Sequence, residues 1–264
     1  MKFTAVASAL LCANIAAAAP GTAARREREV QRSINRRTNT LQPAVGALEL
    51  PNGNGTAHVE YSSNWAGAVL IGTGYTSVTG TIVVPTPSKP SGSSSGTYSG
   101  SAWVGIDGDT CGTAILQTGI DFTISGSTVS YDAWYEWYPD YAYDFSGIPI
   151  SAGDSITMTV TATSKKAGTA VIKNNTTGKT VTHSFSSETN QLCEENAEWI
   201  VEDYESGSSL VNFADFGTVT FTGASVNGGT GVSGATIIDI EQNSKVLTSC
   251  STSGSSEVVC SYTG

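Results

Sequence analysis

The stretch "NAEWIVEDYE" (196–205) holds four carboxylates in eight residues: Glu198, Glu202, Asp203 and Glu205. The chain around it is built mainly from Ser, Thr, Gly and Val. Carboxylates ordinarily titrate near pH 4, so they are the side chains able to act as acid or base well below neutral pH. Three other stretches bring acids together with aromatics or an amide: "SAWVGIDGD" (101–109), "TAILQTGIDF" (113–122) and "YDAWYEWY" (131–138). On a strand, successive side chains point to opposite faces. Ala114, Leu116, Thr118, Ile120 and Phe122 then share one face, and Thr113, Ile115, Gln117, Gly119 and Asp121 the other. By the same alternation Asp132, Trp134, Glu136 and Tyr138 lie opposite Tyr131, Ala133, Tyr135 and Trp137. Trp103, Gly105 and Asp107 lie opposite Ala102, Val104 and Ile106. Three strands thus offer acids, aromatics and an amide on the less apolar face, which reads as an open binding groove.

The stretch 196–205 fits two conformations. As a helix it buries Ala197, Ile200, Val201 and Tyr204; as a strand it separates Glu198, Ile200, Glu202 and Tyr204 from Ala197, Trp199, Val201 and Asp203. Its β surroundings favour the strand, with Glu198 and Glu202 pointing together toward the groove. Glu202, Asp203 and Glu205 are expected to be solvated, or to be hydrogen-bonded supports.

These strands belong to a longer pattern. Past residue 58, short alternating runs such as "SVTGTIVVP", "SITMTVTATS", "GTVTFTGASV" and "ATIIDIEQ" are separated by Gly, Ser, Asn and Pro. Residues 58–264 read as one all-β domain, a sandwich of two antiparallel β-sheets. "SKPSGSSSGTYSGS" (88–101) reads as a flexible loop. Cys111, Cys193, Cys250 and Cys260 are even in number, and they suit two disulfides in an exported chain. Cys250 and Cys260 flank a hairpin-like loop and would pair locally, leaving Cys111 with Cys193, which would bring Gln117 near Glu198. No cysteine or histidine cluster suggests a metal. Asn54, Asn174 and Asn175 sit in glycosylation sequons.

The amino-terminal region differs in character. Residues 1–19 read as a secretory signal, with Lys2, an Ala-rich apolar run and small residues before Pro20. The run is too short for a membrane span. Residues 20–57 read as a basic pro-segment, helical around Val30 and Ile34 and removed between about Leu50 and Glu60. Residues 20–50 carry six arginines against three acids, whereas residues 51–264 carry six lysines against twenty acids, a net charge near −14. Such a domain lacks the clustered cations that nucleic acid requires. With so few cations to accumulate repelling charge, it suits acidic surroundings. The arginines of the pro-segment are expected to pair with the acidic cleft near neutral pH and to release it as carboxylates protonate.

Several consecutive motifs carry a family resemblance: "YSSNWAG" (61–67), "SAWVGIDGDTC" (101–111), "AILQTGIDF" (114–122), "YDAWYEWYP" (131–139), "FSGIPISAGDSI" (145–156) and "NAEWIVEDYE". In order and content they resemble the fungal glutamic peptidases, the eqolisins. The resemblance implies a secreted, extracellular acid endopeptidase, monomeric and insensitive to pepstatin, acting on polypeptides and inhibited by its own pro-segment. It implies a catalytic pair of Gln117 and Glu198, with Glu198 as general base on water and Gln117 supporting the oxyanion. It requires no metal, no cofactor and no covalent intermediate. Trp65, Trp103, Asp107, Asp121, Asp132 and Trp134 match positions lining or buttressing the cleft. One departure is that "DYESGSSLVNFADF" (203–216) lacks the additional cysteine pair often found there.

Two other readings compete. A glycoside hydrolase would use Glu136 with Glu198 as its acid/base pair. A lectin-like module would stack sugar rings on Trp103, Trp134 and Trp137. Neither Asp-Thr-Gly nor Asp-Ser-Gly occurs, which disfavours an aspartic peptidase. Tyr135 and Trp137 are expected in the core and His183 on the surface, while Asp107 and Asp109 also suit a turn.

Overall fold

The structure is a computed structural model and describes residues 36–37, 40–42 and 59–264. The signal, the pro-segment helix, His58, Asn54 and most of the processing region lie outside the described residues. The main strands are β1 (Val59–Ser62), β2 (Trp65–Ile71), β3 (Ser77–Val83), β4 (Thr97–Ile106), β5 (Ile115–Ser125), β6 (Thr128–Tyr138) and β7 (Ser155–Ser164). They continue with β8 (Ala167–Asn174), β9 (Lys179–Phe185), β10 (Asn196–Glu202), β11 (Thr218–Val226), β12 (Thr236–Gln242), β13 (Thr248–Ser253) and β14 (Glu257–Tyr262). Among the described residues no helix is long and apolar enough to cross a membrane.

Two large sheets account for nearly all of these strands. One runs β9-β8-β7-β3-β11-β14-β13; the other runs β12-β2-β10-β4-β5-β6, with Lys245–Val246 and Tyr143–Asp144 at its ends. Among the described strands pairing is antiparallel except where β1 lies parallel to β12. The alternation visible in β7 shows why the layers form. Ile156, Met158, Val160 and Ala162 are buried in the core. Thr157, Thr159 and Thr161 face away, and each meets a hydroxyl of β3 across the strand at 2.8–3.3 Å. The facing sheet supplies Val104, Leu116, Phe122, Trp199 and Val201 to the same core. Removing this apolar surface from water is the main drive for sandwich formation.

Both expected disulfides are present. Cys250 and Cys260 are registered partners on β13 and β14. Cys111–Cys193 ties the approach to β5 to the approach to β10.

Three expectations need correction. Residues 97–101 are strand rather than loop: β4 begins at Thr97, and hydroxyl pairs such as Ser99–Thr123 at 2.9 Å satisfy its polar side chains. Asn174 is fully buried, and its amide donates to Pro149 O and Asp154 Oδ2, so its sequon is not displayed; Asn175 is exposed. His183 is half-buried, with its ring stacked on Tyr135 at 3.9 Å. Trp137 is in the core as expected, and Tyr135 packs against it. The stretch 203–216, short of cysteines, instead forms a small hairpin of Glu205–Ser206 and Ser209–Leu210, to which Arg36–Arg37 add a third strand.

Candidate active site

The second face of the β12–β6 sheet bears the chemistry. Side chains at paired positions on adjacent strands point the same way, so registers read out rows across this face. One row runs Trp65, Glu202, Ser101, Asp121, Asp132. The next runs Gly67, Ile200, Trp103, Gly119, Trp134, and the third Val69, Glu198, Gly105, Gln117, Glu136. Five strands thereby bring six of the expected site residues besides Asp107 and Glu198 onto the face that holds Glu198. They are Trp65, Trp103, Gln117, Asp121, Asp132 and Trp134.

The third row contains the geometry that matters. Glu198 and Gln117 are two strands apart, about 10 Å between backbones, and the residue between them is Gly105. A methyl group on Gly105 would lie 3.3 Å from both Gln117 Cβ and Glu198 Oε2, and 2.8 Å from the Trp103 ring. The missing side chain leaves a notch bordered by the Glu198 carboxyl on one side and the base of the Gln117 side chain on the other. Filling it with Gly105→Ala is expected to lower peptide cleavage at least about 100-fold, at a stability cost of only about 1–3 kcal/mol. Near-normal turnover by a folded Gly105→Ala protein would show that the notch is not used.

The face is closed, not the open groove expected from the sequence. Trp65, Trp103, Trp134, Gln117, Glu136, Glu198 and Glu202 are all fully buried. Trp65 and Trp103 meet edge to face at 5.0 Å, and an apolar layer of Val69, Ile115, Ala142, Ile200 and Ile238 surrounds them, with Leu41 and Tyr138 packed against it. Glu202 is a support rather than a solvated acid, since its Oε2 accepts the Trp103 indole N–H at 2.8 Å.

Enclosure dominates the electrostatics. Burial pushes the Glu198 carboxyl well above the ordinary carboxylate range, and the charges of Asp109, Asp107 and Glu202 push it the same way. Neither Glu198 oxygen has a hydrogen bond of full geometry among the described residues. The backbone N–H of Asp109 is directed at the carboxyl and offsets part of the penalty. Asp109 is itself pushed up to about 6, first by burial and then by the charge of Glu60. Enclosure therefore favours the neutral form of Glu198.

Asp107 buttresses the cleft through the backbone. Its Oδ2 accepts the backbone N–H groups of Cys193 and Glu194 at 2.7 and 2.9 Å, and its Oδ1 those of Glu195 and Asn196 at 2.8 and 3.2 Å. It fixes the entry to β10, and hence Glu198, from a left-handed backbone conformation (φ 69°) that Asp tolerates better than most residues. Asp107, Cys111 and Cys193 cluster closely. That trio does not suit a metal, because both sulfurs are in one disulfide and both carboxylate oxygens are committed to amides. Gly108, next in the chain, combines φ 126° with a position where a Cβ would strike Trp65 at 2.7 Å and Ile115 at 2.8 Å, so only glycine fits.

Asp203 also departs from a solvated role. It is 1% exposed, its Oδ2 accepts from Gln242 Nε2 at 2.7 Å, and its N–H donates to Asn64 O. Burial pushes it up to about 8, against a lowering by the Gln242 bond. The folded state then keeps a proton that the unfolded chain releases near pH 4, so stability is fully present below about pH 4 and declines as pH rises toward 8. At 1.36 kcal/mol per unit this decline is on the order of 5 kcal/mol. Asp239, raised to about 6 mainly by burial, acts in the same direction. Asp203→Asn is expected to flatten the fall in melting temperature between pH 4 and 8; an unchanged slope would exclude Asp203 as its source.

The sequence reading assigned no site role to Asn64, whose carbonyl accepts the Asp203 N–H beside the site, or to Asp109, read only as a turn former; the only local signal was turn-forming composition in "SSNW" and "DGDT".

Residues 63–262 match the Peptidase A4 family. Aspergillopepsin-2 of Aspergillus niger is 54% identical over 279 aligned positions, covering 98% of this chain and 99% of that protein. Scytalidopepsin B of Scytalidium lignicola is 48% identical, covering 99% of this chain and all of that protein. A crystal structure of scytalido-glutamic peptidase with a transition state analog inhibitor superposes with a TM-score of 0.70 at 48% identity, covering 76% of this chain and 98% of that one. With this much of its length shared, in sequence and in fold, the chain belongs to the peptidase A4 family and is a glutamic-type endopeptidase.

Proposed function

We propose that the protein is a secreted acid endopeptidase in which Glu198 and Gln117 act on a water seated over Gly105. The observation that carries this is the notch itself: a glycine flanked in register by a carboxyl on one strand and a non-titrating amide side chain on the next, inside an aromatic wall. Ionised Glu198 takes a proton from the water as its oxygen adds to the scissile carbonyl. The Gln117 amide N–H donates to the oxygen that becomes negative. Glu198 then returns the proton to the departing amine as the C–N bond breaks, which restores the ionised base. Asp121, Asp132, Trp103 and Trp134 shape the cleft on either side. Substrates are polypeptides, and the chain acts as a monomer.

A neutral Glu198 cannot begin this cycle, so the closed form is the latent one. The segment preceding residue 59 inhibits the site, and its departure admits water and returns Glu198 toward its ordinary pKa. The arginines of that segment favour latency near neutral pH by charge attraction to the acidic domain.

The glycosidase reading fits less well. Glu136 and Glu198 are three strands apart, about 14 Å between backbones, with Gln117 and Gly105 between them. The Gln117 side chain, which cannot titrate, thus stands in register between the two carboxyls that a glycosidase would set facing each other across the bond.

The test is digestion of denatured casein at about pH 4.5, near the ordinary carboxylate midpoint where a good share of the base is ionised, by processed protein with pepstatin present. Cleavage that persists is expected, because pepstatin addresses a paired-aspartate site. Abolition by pepstatin, or no proteolysis with polysaccharide hydrolysis instead, would overturn the reading.

A further inference from the structure

Three residues far upstream of the domain sit on the site face as a ligand would. Leu41 N–H donates to Gly108 O at 3.1 Å, and Gln42 N–H to Asn64 Oδ1 at 3.0 Å. Asn64 Nδ2 returns a bond to Thr40 O at 3.3 Å. One side-chain amide thus reads a donor and an acceptor two residues apart, as a neighbouring strand would. Gln42 O accepts from Ser63 N at 2.8 Å. Ser62 Oγ lies 2.9 Å from both Gln42 O and Asn64 Oδ1, and its single proton serves one of them. The Leu41 side chain packs on the Trp65–Trp103 layer.

These contacts reach the catalytic carboxyl through a single peptide unit. The Gly108 carbonyl that takes Leu41 N–H and the Asp109 N–H directed at Glu198 belong to the same peptide bond. In a trans peptide those two groups point in opposite directions. The tripeptide therefore lies one peptide unit away from Glu198, with Gly108, which can only be glycine, at the junction. The buried Trp65 Nε1 has no partner among the described residues and is a donor available to the carbonyl of a longer peptide. A second attachment lies upstream, where Arg36 and Arg37 pair through their backbones with Ser206 and Glu205.

We propose that Asn64, Gly108 and the Ser62–Ser63 turn form a subsite for an extended peptide, read through its backbone and carrying an aliphatic side chain onto the Trp65–Trp103 layer. Thr40–Leu41–Gln42 is its resident occupant. This rests on the peptidase reading, because a substrate arriving from solution would use the same seat. Every polar contact is to the tripeptide backbone except one long contact from Ser63 Oγ to Gln42 Oε1 at 3.4 Å. Selectivity at this seat thus falls on the central side chain, where leucine fits and a carboxylate would be desolvated against indole rings.

The test uses the full chain, its Leu41→Asp form and its Asn64→Ala form. Exchange of the Leu41 and Gln42 amide hydrogens, followed by NMR, reads the seat without any activity. Protection of at least about 100-fold over an unstructured peptide is expected, lost in Asn64→Ala. Casein cleavage before any processing should be at least about 10-fold faster for Leu41→Asp than for the wild-type chain. Acetyl-Thr-Leu-Gln-amide added to the Leu41→Asp chain should inhibit it, and acetyl-Thr-Asp-Gln-amide should not. Unprotected amides in the wild-type chain would overturn the seat. Protected amides with no effect of Leu41→Asp or of the peptides, in a protein that cleaves casein once processed, would overturn the shared use by substrate alone. If no form cleaves casein, the peptidase reading fails, and the exchange result still decides whether the seat exists.

Discussion

Glu198→Gln is expected to leave a folded protein whose peptide cleavage has fallen by about four orders of magnitude, the upper range for loss of a positioned general base. Glutamine matches the protonated carboxyl in shape, so the wall of Trp103 and Ile200 and the pairing of β10 are undisturbed. Stability should move the opposite way from activity. The folded pKa of Glu198 is raised, mainly by burial. The wild-type chain therefore loses stability as pH rises from its unfolded pKa through the folded one. The variant has no such loss, so its melting temperature should equal that of the wild type at about pH 3 and exceed it at about pH 7. Glu202→Gln, which removes a charge from the same strand but keeps an acceptor for the Trp103 indole, should retain most activity. A Glu198→Gln protein that still cleaves casein would move the base elsewhere, with Glu136 the first candidate.

Gln117→Leu is expected to lower kcat by about 100- to 1,000-fold with little change in KM, the pattern for losing a donor that matters only when the oxyanion forms. Leucine is close to glutamine in volume, so the notch over Gly105 keeps its shape while the amide is lost. Glutamine does not titrate, and the pH dependence of the residual activity should therefore keep its wild-type form. A variant that weakens KM alone would make Gln117 a binding residue and not a participant in the reaction.

Much of the site was legible from local periodicity, because alternation in a strand is set by backbone geometry. The sidedness of Gln117 against Leu116, of Trp134 against Ala133 and of Trp103 against Val104 follows from that alone. The strand assignment of 196–202 and both disulfides held for the same reason: each needed only short-range pattern and parity. What covers a face is different, since it depends on segments distant in sequence. Leu41 packs against the layer that holds the paired indoles, and the face expected to be open carries the fully buried Glu198 and Gln117. The sequence leaves Asp107 as lining, buttress or turn former and Asp203 as solvated acid or support, and only their partners decide between these. Those partners lie 86 to 89 residues away for Asp107 and 39 for Asp203. The Ser-rich start of β4 looked like loop because its stabilising hydroxyl pairs come from β5.

The central claim is that Glu198 works on water and not on the substrate itself. A single turnover of excess processed enzyme on a peptide in ¹⁸O-labelled water, followed by mass spectrometry of both product and enzyme, tests this directly. The account predicts one ¹⁸O in the newly formed product carboxylate and none in the Glu198 side chain. Label in Glu198, with an unlabelled first-turnover product, would show direct attack by the carboxylate and contradict it.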